Sequence, residues 1–241
     1  MTQPNPHPSP ADIKIIFGLQ PSAAIAYLQA KGYAITWHWH DILDQAHQHA
    51  FTVAKAMRLD LLSDIRAALE TALQQGQTLQ QFTAQLKPVL QAQGWWGKPV
   101  IVDSQGNAQH VQLGSRHRLK TLYQTNLQSA YMAGRKANMQ QATDTHPYWM
   151  YIAILDGKTR NRHRAMHGQT YRHDDPIWQT IYPPNGYNCR CRVIALSEAA
   201  VKRRNLTITD SRTTPNTFQP DPGFNHSPNH LGQTSPKTTN A

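Results

Sequence analysis

Apolar residues recur along this chain at two different periods, and the change from one to the other divides it. In the first hundred residues the period is helical. PSAAIAYLQAKGY predicts a short helix with Ser22 as its cap and Gly32 as its stop. In DILDQAHQHAFTVAKAM, residues Ile42, Ala46, Ala50, Val53 and Met57 step at helical spacing and predict a second helix. From Asp60 to Gln75, Leu62, Ile65, Leu69 and Leu73 share one face, and Gly76 ends the run. Thr78 and Gln81 have the spacing of a capping box for a further helix that carries Phe82, Leu86 and Leu90. Pro88 is expected to kink or shorten it, because proline lacks the amide hydrogen the helix needs.

After GWWG the pattern shifts. Val100–Val102, a Ser-Gln-Gly-Asn turn, then Val111 and Leu113 predict a hairpin or an ordered loop. From Ser115 to about Gln141 the helical period returns, with an inner stripe of Leu119, Tyr123, Asn126, Ala130, Ala133 and Ala137. Most of these are small, which predicts close approach by a neighbouring element. HPYWMYIAILDG is rich in aromatic and β-branched residues and closes on Asp-Gly, so it predicts a strand. A short helix or turn over 158–168, a brief strand at QTYR, a loop through DDPIWQTIYPPNGYN and a second strand at CRCRVIAL follow. The expected fold is α+β. A helical N-terminal half (20–97) precedes a small α/β unit (98–200) with one long helix and a short, mainly antiparallel sheet. A flexible arm (1–19) and a disordered polar tail (201–241) flank them, on their proline-rich and aperiodic composition.

Composition narrows the setting. The chain has 241 residues, enough for one large domain or two modest ones. No run of about 18 apolar residues is present, so no transmembrane helix and no membrane partner are expected. MTQPNPHPSP lacks the basic start and apolar core of a secretory signal. The only two cysteines stand one residue apart, which builds no disulfide framework and points to a reducing cytoplasm. The net charge of +10 is localised. Residues 114–204 hold 15 Lys/Arg against 5 Asp/Glu, while the segments on either side each sum to zero. A basic excess in one segment marks a polyanion partner, or else a surface kept soluble by charge.

Three constellations carry candidate chemistry. His163, His167, Cys189 and Cys191 make an H-x-x-x-H pair and a C-x-C pair, a donor set suited to zinc. The competing readings are a buried strand face, with Cys189, Cys191 and Val193 inward and Arg190 and Arg192 outward, or redox or nucleophilic chemistry. Asp156, Arg160, His163, His167, Asp174 and Asp175 form a second set, which would suit metal-assisted or acid–base hydrolysis of a phosphodiester. Asp174 and Asp175 also read as turn residues before a proline. Trp37, Trp39, Trp95, Trp96, Trp149 and Trp178 suit core or interface packing, or stacking on unpaired bases. HWHD at 38–41 reads either as metal donors or as a helix start capped by Asp41.

In order, Y-x-T-N (Tyr123, Thr125, Asn126), A-G-R (Ala133, Gly134, Arg135), D-x-x-T-R-x-x-H (Asp156, Thr159, Arg160, His163), D-D-P (Asp174, Asp175, Pro176) and P-P-N-G-x-x-C-R-C (Pro183 to Cys191) form a specific series. Together with Gly168 and Trp178, they resemble the phage Mu F-like minor head proteins, also described as phage head morphogenesis proteins. The likeness covers roughly residues 20–197, with a faint echo in PDPGFNHSPN near the C-terminus. Two departures stand out. Arg160-Asn161-Arg162-His163 replaces the relatives' R-P-E-H, adding a base and removing an acid, and Ile181 stands where a histidine is common before Y-P-P. The resemblance implies a non-enzymatic minor component of tailed-phage heads. Such a protein acts in head assembly, docks near portal and capsid proteins, and contacts packaged double-stranded DNA without sequence preference. It would sit in the host bacterial cytoplasm during assembly and then in the virion. On this reading Arg116, Arg118, Lys120, Arg135, Arg162, Arg164, Arg190 and Arg192 are the expected DNA or portal contacts. No catalytic residue and no obligatory cofactor is expected, zinc at the His/Cys set being the exception. The alternative is a metal-dependent nuclease or a toxin-like effector built on the same domain.

Overall fold

A computed structural model describes residues 21–38, 49–102, 105–214 and 216–228. The expected arm at 1–19, Trp39 and His40, residues 41–48 of the predicted second helix and residues 229–241 of the expected tail lie outside these. The chain is α+β, as the change of period implies.

The N-terminal part is helical. α1 (Pro21–Gln29), α2 (Leu59–Gln75) and α3 (Leu79–Ala92) surround a core of Tyr27, Leu28, Leu62, Ile65, Leu69, Leu73, Phe82, Leu86 and Leu90. α2 stops at Gly76, whose φ of 62° is left-handed, a conformation that costs glycine nothing. The capping box of Thr78 and Gln81 is formed. α3 runs through Pro88 to Ala92 without ending, its apolar face holding it against the core.

The predicted helix from Asp41 to Met57 is not what residues 50–57 adopt. Strand β1 (Gly32–Tyr33) pairs in parallel with β2 (Ala50–Phe51), and a turn follows with Lys55 at φ 65°. Phe51 and Val53 are buried at a spacing of two, and Met57 is exposed. Side chains from elsewhere claim the turn's carbonyls: Arg118 donates to Ala54 at 2.6 Å and the Trp95 indole to Lys55 at 2.8 Å. In a helix the Lys55 amide would donate to the Phe51 carbonyl; here it donates to the Thr36 carbonyl at 2.9 Å while Phe51 accepts from the Ala34 amide at 3.0 Å, so tertiary contacts override the local period.

The hairpin of β3 (Val100–Val102) and β4 (Ala108–His110) leads to α4 (Arg116–Gln141), capped by Ser115 accepting from the Arg118 amide. α4 belongs to both halves of the chain. Leu119, Ala130 and Ala133 enter the N-terminal core, while Met132 and Met139 enter the core of the second unit. The small residues do what their size predicts. At Gly134 a Cβ would stand 3.3 Å from that of Ala23, so α1 lies directly on this helix.

The second unit is a four-stranded sheet in the order β7-β5-β6-β8. β5 (Tyr148–Ile152) pairs antiparallel with β6 (Thr170–Arg172) and with β7 (Arg192–Leu196), and β6 pairs in parallel with β8 (Ile208–Thr209). Two short helices, α5 (Asn161–Ala165) and α6 (Trp178–Ile181), fill the connections, and α7 (Glu198–Arg203) follows β7. Alternation along β5 sends Trp149 and Tyr151 into one core with Trp178 and Tyr182, and Met150 into another with Leu196 and Val201. This burial on both faces explains the nearly unbroken apolar run of that strand. The packed structure also continues past the expected boundary at 200. β8 adds the outer strand, Phe218 and Phe224 are buried, and Ser227 meets the buried Lys136.

Candidate functional site

Two of the signature motifs, D-x-x-T-R-x-x-H and P-P-N-G-x-x-C-R-C, come together where two loops flanking the β5–β7 pair meet. The first loop leaves β5 and carries Asp156, Thr159 and Arg160 before α5 presents His163. The second runs from Tyr182 to Cys191 and feeds β7. A bidentate ion pair clamps them together: Arg190 donates to both Asp156 oxygens, at 2.6 and 2.7 Å. The same carboxylate accepts the Lys158 amide at 3.0 Å and the Thr159 hydroxyl at 3.3 Å, so it also shapes its own turn. The Arg190 guanidinium therefore holds the Asp156 carboxyl well below the usual carboxylate range, and Asp156 in turn raises Arg190.

A third segment closes over these loops. Arg160 reaches the Tyr187 carbonyl at 2.9 Å and Asp221 at 3.4 Å, and Arg162 pairs with the same Asp221. The Asp221 amide donates to the Asn185 carbonyl at 3.0 Å. Gly186 sits beneath this contact, and a Cβ there would overlap the Asp221 carboxylate. Asn185 is buried and donates to the Ile181 carbonyl at 2.8 Å and to the Tyr151 hydroxyl at 3.0 Å. Asp221 and Phe218 were not legible as site residues. The one signal was the C-terminal echo around PDPGFNHSPN, which the aperiodic composition of the tail obscured.

At the centre stand His163, Cys189 and Cys191, 2%, 7% and 2% exposed. Imidazole Nδ1 lies 3.7 Å from the Cys189 sulfur and 3.5 Å from that of Cys191, and both cysteines are free. The imidazole Nε2 is buried without a hydrogen-bond partner among the described residues, and the Phe218 ring stands edge-on at 5.4 Å. A hydrogen bond between the two sulfurs favours the thiolate at Cys189 and pushes the Cys191 thiol up, while burial pushes up the Tyr151 phenol. His167 does not join them. It is exposed, two residues past the end of α5, with Nδ1 3.1–3.2 Å from the Ala153 backbone, so the expected four-residue donor set is three residues. The inward cysteines keep the alternation read from the sequence, although β7 begins only at Arg192. Arg190 departs from it: its head is held by Asp156 rather than projecting free.

The hydrolytic set is dispersed. Asp174 pairs with Arg172 at 3.0 Å, while buried Asp175 accepts the amides of Ile177 and Ser211, both at 2.9 Å. With Asp156 bound to Arg190, each carboxylate of that set holds a turn or a segment in place. Trp95, Trp149 and Trp178 are core residues, the Trp149 ring lying tilted at 5.8 Å from Trp178 and edge-on at 5.9 Å from Tyr182. Tyr123 bonds the Gln77 carbonyl at 2.5 Å, and Asn126 bonds the Leu122 carbonyl at 2.9 Å within its own helix.

The candidate contact cations divide by environment. Arg118 lies over the Trp95 ring at 4.7 Å and donates to the carbonyls of Ala54 and Leu113, and burial lowers its pKa. Arg135 donates to the Val193 carbonyl at 2.6 Å, tying α4 to β7, and is likewise lowered by burial. These two, with Arg190, are built into the fold. Arg162 and Arg164 are exposed but engaged, with Asp221 and the Asp156 carbonyl. Arg116 and Lys120 are exposed on the first turns of α4, and Arg192 is half-buried.

A mixed sheet backed by a long helix is thus closed by the D-x-x-T-R-x-x-H and P-P-N-G-x-x-C-R-C loops. The pattern described as "Phage Mu protein F like protein" matches residues 63–194, and the chain belongs to that family. It is 47% identical over 227 residues to the "Putative capsid assembly protein F" of Escherichia phage Mu, covering 94% of this chain and 52% of that protein. It is also 50% identical over 177 residues to the Mu-like prophage FluMu F protein of Haemophilus influenzae, covering 73% of this chain and 42% of that protein. The chain thus spans about half the length of the curated relatives it matches. No solved structure matches it. Among the described residues no helix is long and apolar enough to cross a membrane.

Proposed function

We propose that this chain works in phage head assembly as a minor component that docks on portal or capsid proteins and faces packaged double-stranded DNA. Its place would be the host cytoplasm during assembly and the head interior afterwards. Membership of the Mu F-like family carries the assembly role. The DNA-facing part rests on where the charge lies: all of the net +10 falls within residues 114–204, the region that holds the family's motifs. Two cations of that segment give the reading a physical handle. Arg116 and Lys120 stand at the N-terminal end of α4, whose first turn holds no acidic residue. A helix N-terminus is electropositive, so bases placed there repel it and gain most from a nearby polyanion. Contacts of this kind are to phosphate and carry no sequence preference.

The experiment is binding of the full chain to random-sequence duplex DNA at increasing salt. Affinity should fall linearly on a log–log plot, and an Arg116→Ala/Lys120→Ala variant should reduce the slope by about 1–2. Absence of binding at low salt, or a slope unchanged in that variant, overturns the DNA contact. Docking is read separately, by co-assembly of the tagged chain with portal and capsid proteins of the same phage. A chain left entirely outside the particles overturns it.

A further inference from the structure

We propose that His163, Cys189 and Cys191 form a binding site for a zinc-class divalent cation, through imidazole Nδ1 and the two sulfurs. This inference goes beyond the assembly role and stands whether or not the chain contacts DNA. Geometry is the first argument. Zinc held tetrahedrally by sulfur and imidazole nitrogen implies nitrogen–sulfur separations of about 3.6 Å. The observed ones are 3.5 and 3.7 Å. All three donor atoms lie within 4.8 Å of one another, and all three residues are buried.

The donors are also held in place by contacts of their own. The Asp156–Arg190 pair fixes the residue between the cysteines. Gln128 of α4 donates to the Cys191 carbonyl at 2.9 Å, and the Cys189 amide donates to the Gly186 carbonyl at 3.1 Å. Such outer contacts orient ligands before a metal arrives. Burial of cysteine as a small hydrophobe accounts for the inward sulfurs, but not for one imidazole nitrogen aimed at both of them. A nucleophile needs access that residues 2% and 7% exposed do not offer. Two thiolates and an imidazole favour zinc over harder cations. Binding displaces the thiol protons to solvent. The ion would then cross-link α5, only five residues long, to the segment entering β7.

The test uses the full chain, reduced and stripped of metal by a chelator, and titrated with Co²⁺ as a spectroscopic stand-in. Stoichiometric uptake is expected, with the visible bands of tetrahedral cobalt and a thiolate charge-transfer band, and zinc should displace the cobalt. Cys189→Ser, Cys191→Ser and His163→Ala should each lose the tetrahedral spectrum, while His167→Ala keeps it. Circular dichroism identifies any variant that fails to fold, and in that case the titration of the unaltered chain decides. No uptake by the reduced chain, an octahedral spectrum without thiolate bands, or loss in His167→Ala alone would each overturn the proposal.

Discussion

Lys136 is 5% exposed on α4, where its ammonium group meets the Ser227 hydroxyl and the Tyr182 ring face at 5.4 Å. Burial lowers its pKa from 10.5 to about 8. The sign follows from proton counting. Below about pH 8 both folded and unfolded chains carry the charge, and the fold bears the full cost of burying it. As pH rises toward 10.5 the folded lysine loses its proton first, so stability from this group increases with pH. A shift of this size corresponds to roughly 3 kcal/mol at pH 7, falling to roughly 1.4 kcal/mol at pH 9.5. Lys136→Met keeps the length of the side chain and removes the charge, at the loss of about 1 kcal/mol from the hydroxyl bond. The variant should therefore be about 1–3 kcal/mol more stable at pH 7, with its advantage shrinking by roughly 2 kcal/mol by pH 9.5. Urea unfolding of both proteins across that range, followed by tryptophan fluorescence, measures this. Ionisation of the unfolded tyrosines affects both proteins alike and cancels in the difference. A difference that stays flat with pH, or a variant less stable at pH 7, would show that the fold holds Lys136 charged and refute the reasoning.

Two further outcomes test the loop clamp. Gly186→Ala places a methyl group against Asp221, at a φ of 156° that side chains rarely adopt. It should release the 216–228 segment, seen as faster proteolytic cleavage there with the helical circular dichroism retained; unchanged cleavage would mean the contact is dispensable. Asp156 has a lowered pKa through Arg190, so its stabilisation is complete above its unfolded value near 3.8 and is lost as pH falls through the folded one. Asp156→Asn should flatten the loss of stability seen below about pH 4. A variant that follows the acid titration of the unaltered chain would show that this pair does not contribute.

Local signals in this chain were reliable wherever the fold uses them locally. The Thr78/Gln81 box, the Gly76 stop, the Ser115 start of α4 and the strand at Tyr148–Ile152 are all where propensity and period place them. Order and spacing of short motifs were enough to point to the family, because a series of individually weak motifs in fixed order is specific. The inward setting of Cys189 and Cys191 followed from a period of two. Long-range contacts decided the rest. Residues 50–57 gave up a helical pattern because the Lys55 amide and the Phe51 carbonyl, which a helix would join, pair instead with the Thr36 carbonyl and the Ala34 amide. Arg118, Arg135 and Arg190 look in sequence like free positive charge, yet each is aimed at a carbonyl or carboxylate from another segment. Sequence places His163 and His167 equally well for a metal, four apart on one helical face. Only the packing of α5 against the cysteine segment separates them, turning one imidazole toward two sulfurs and the other toward the Ala153 backbone. Composition and period report what a segment can do by itself, whereas the partner of a charged or ligating side chain is set by which distant segment the fold brings to it.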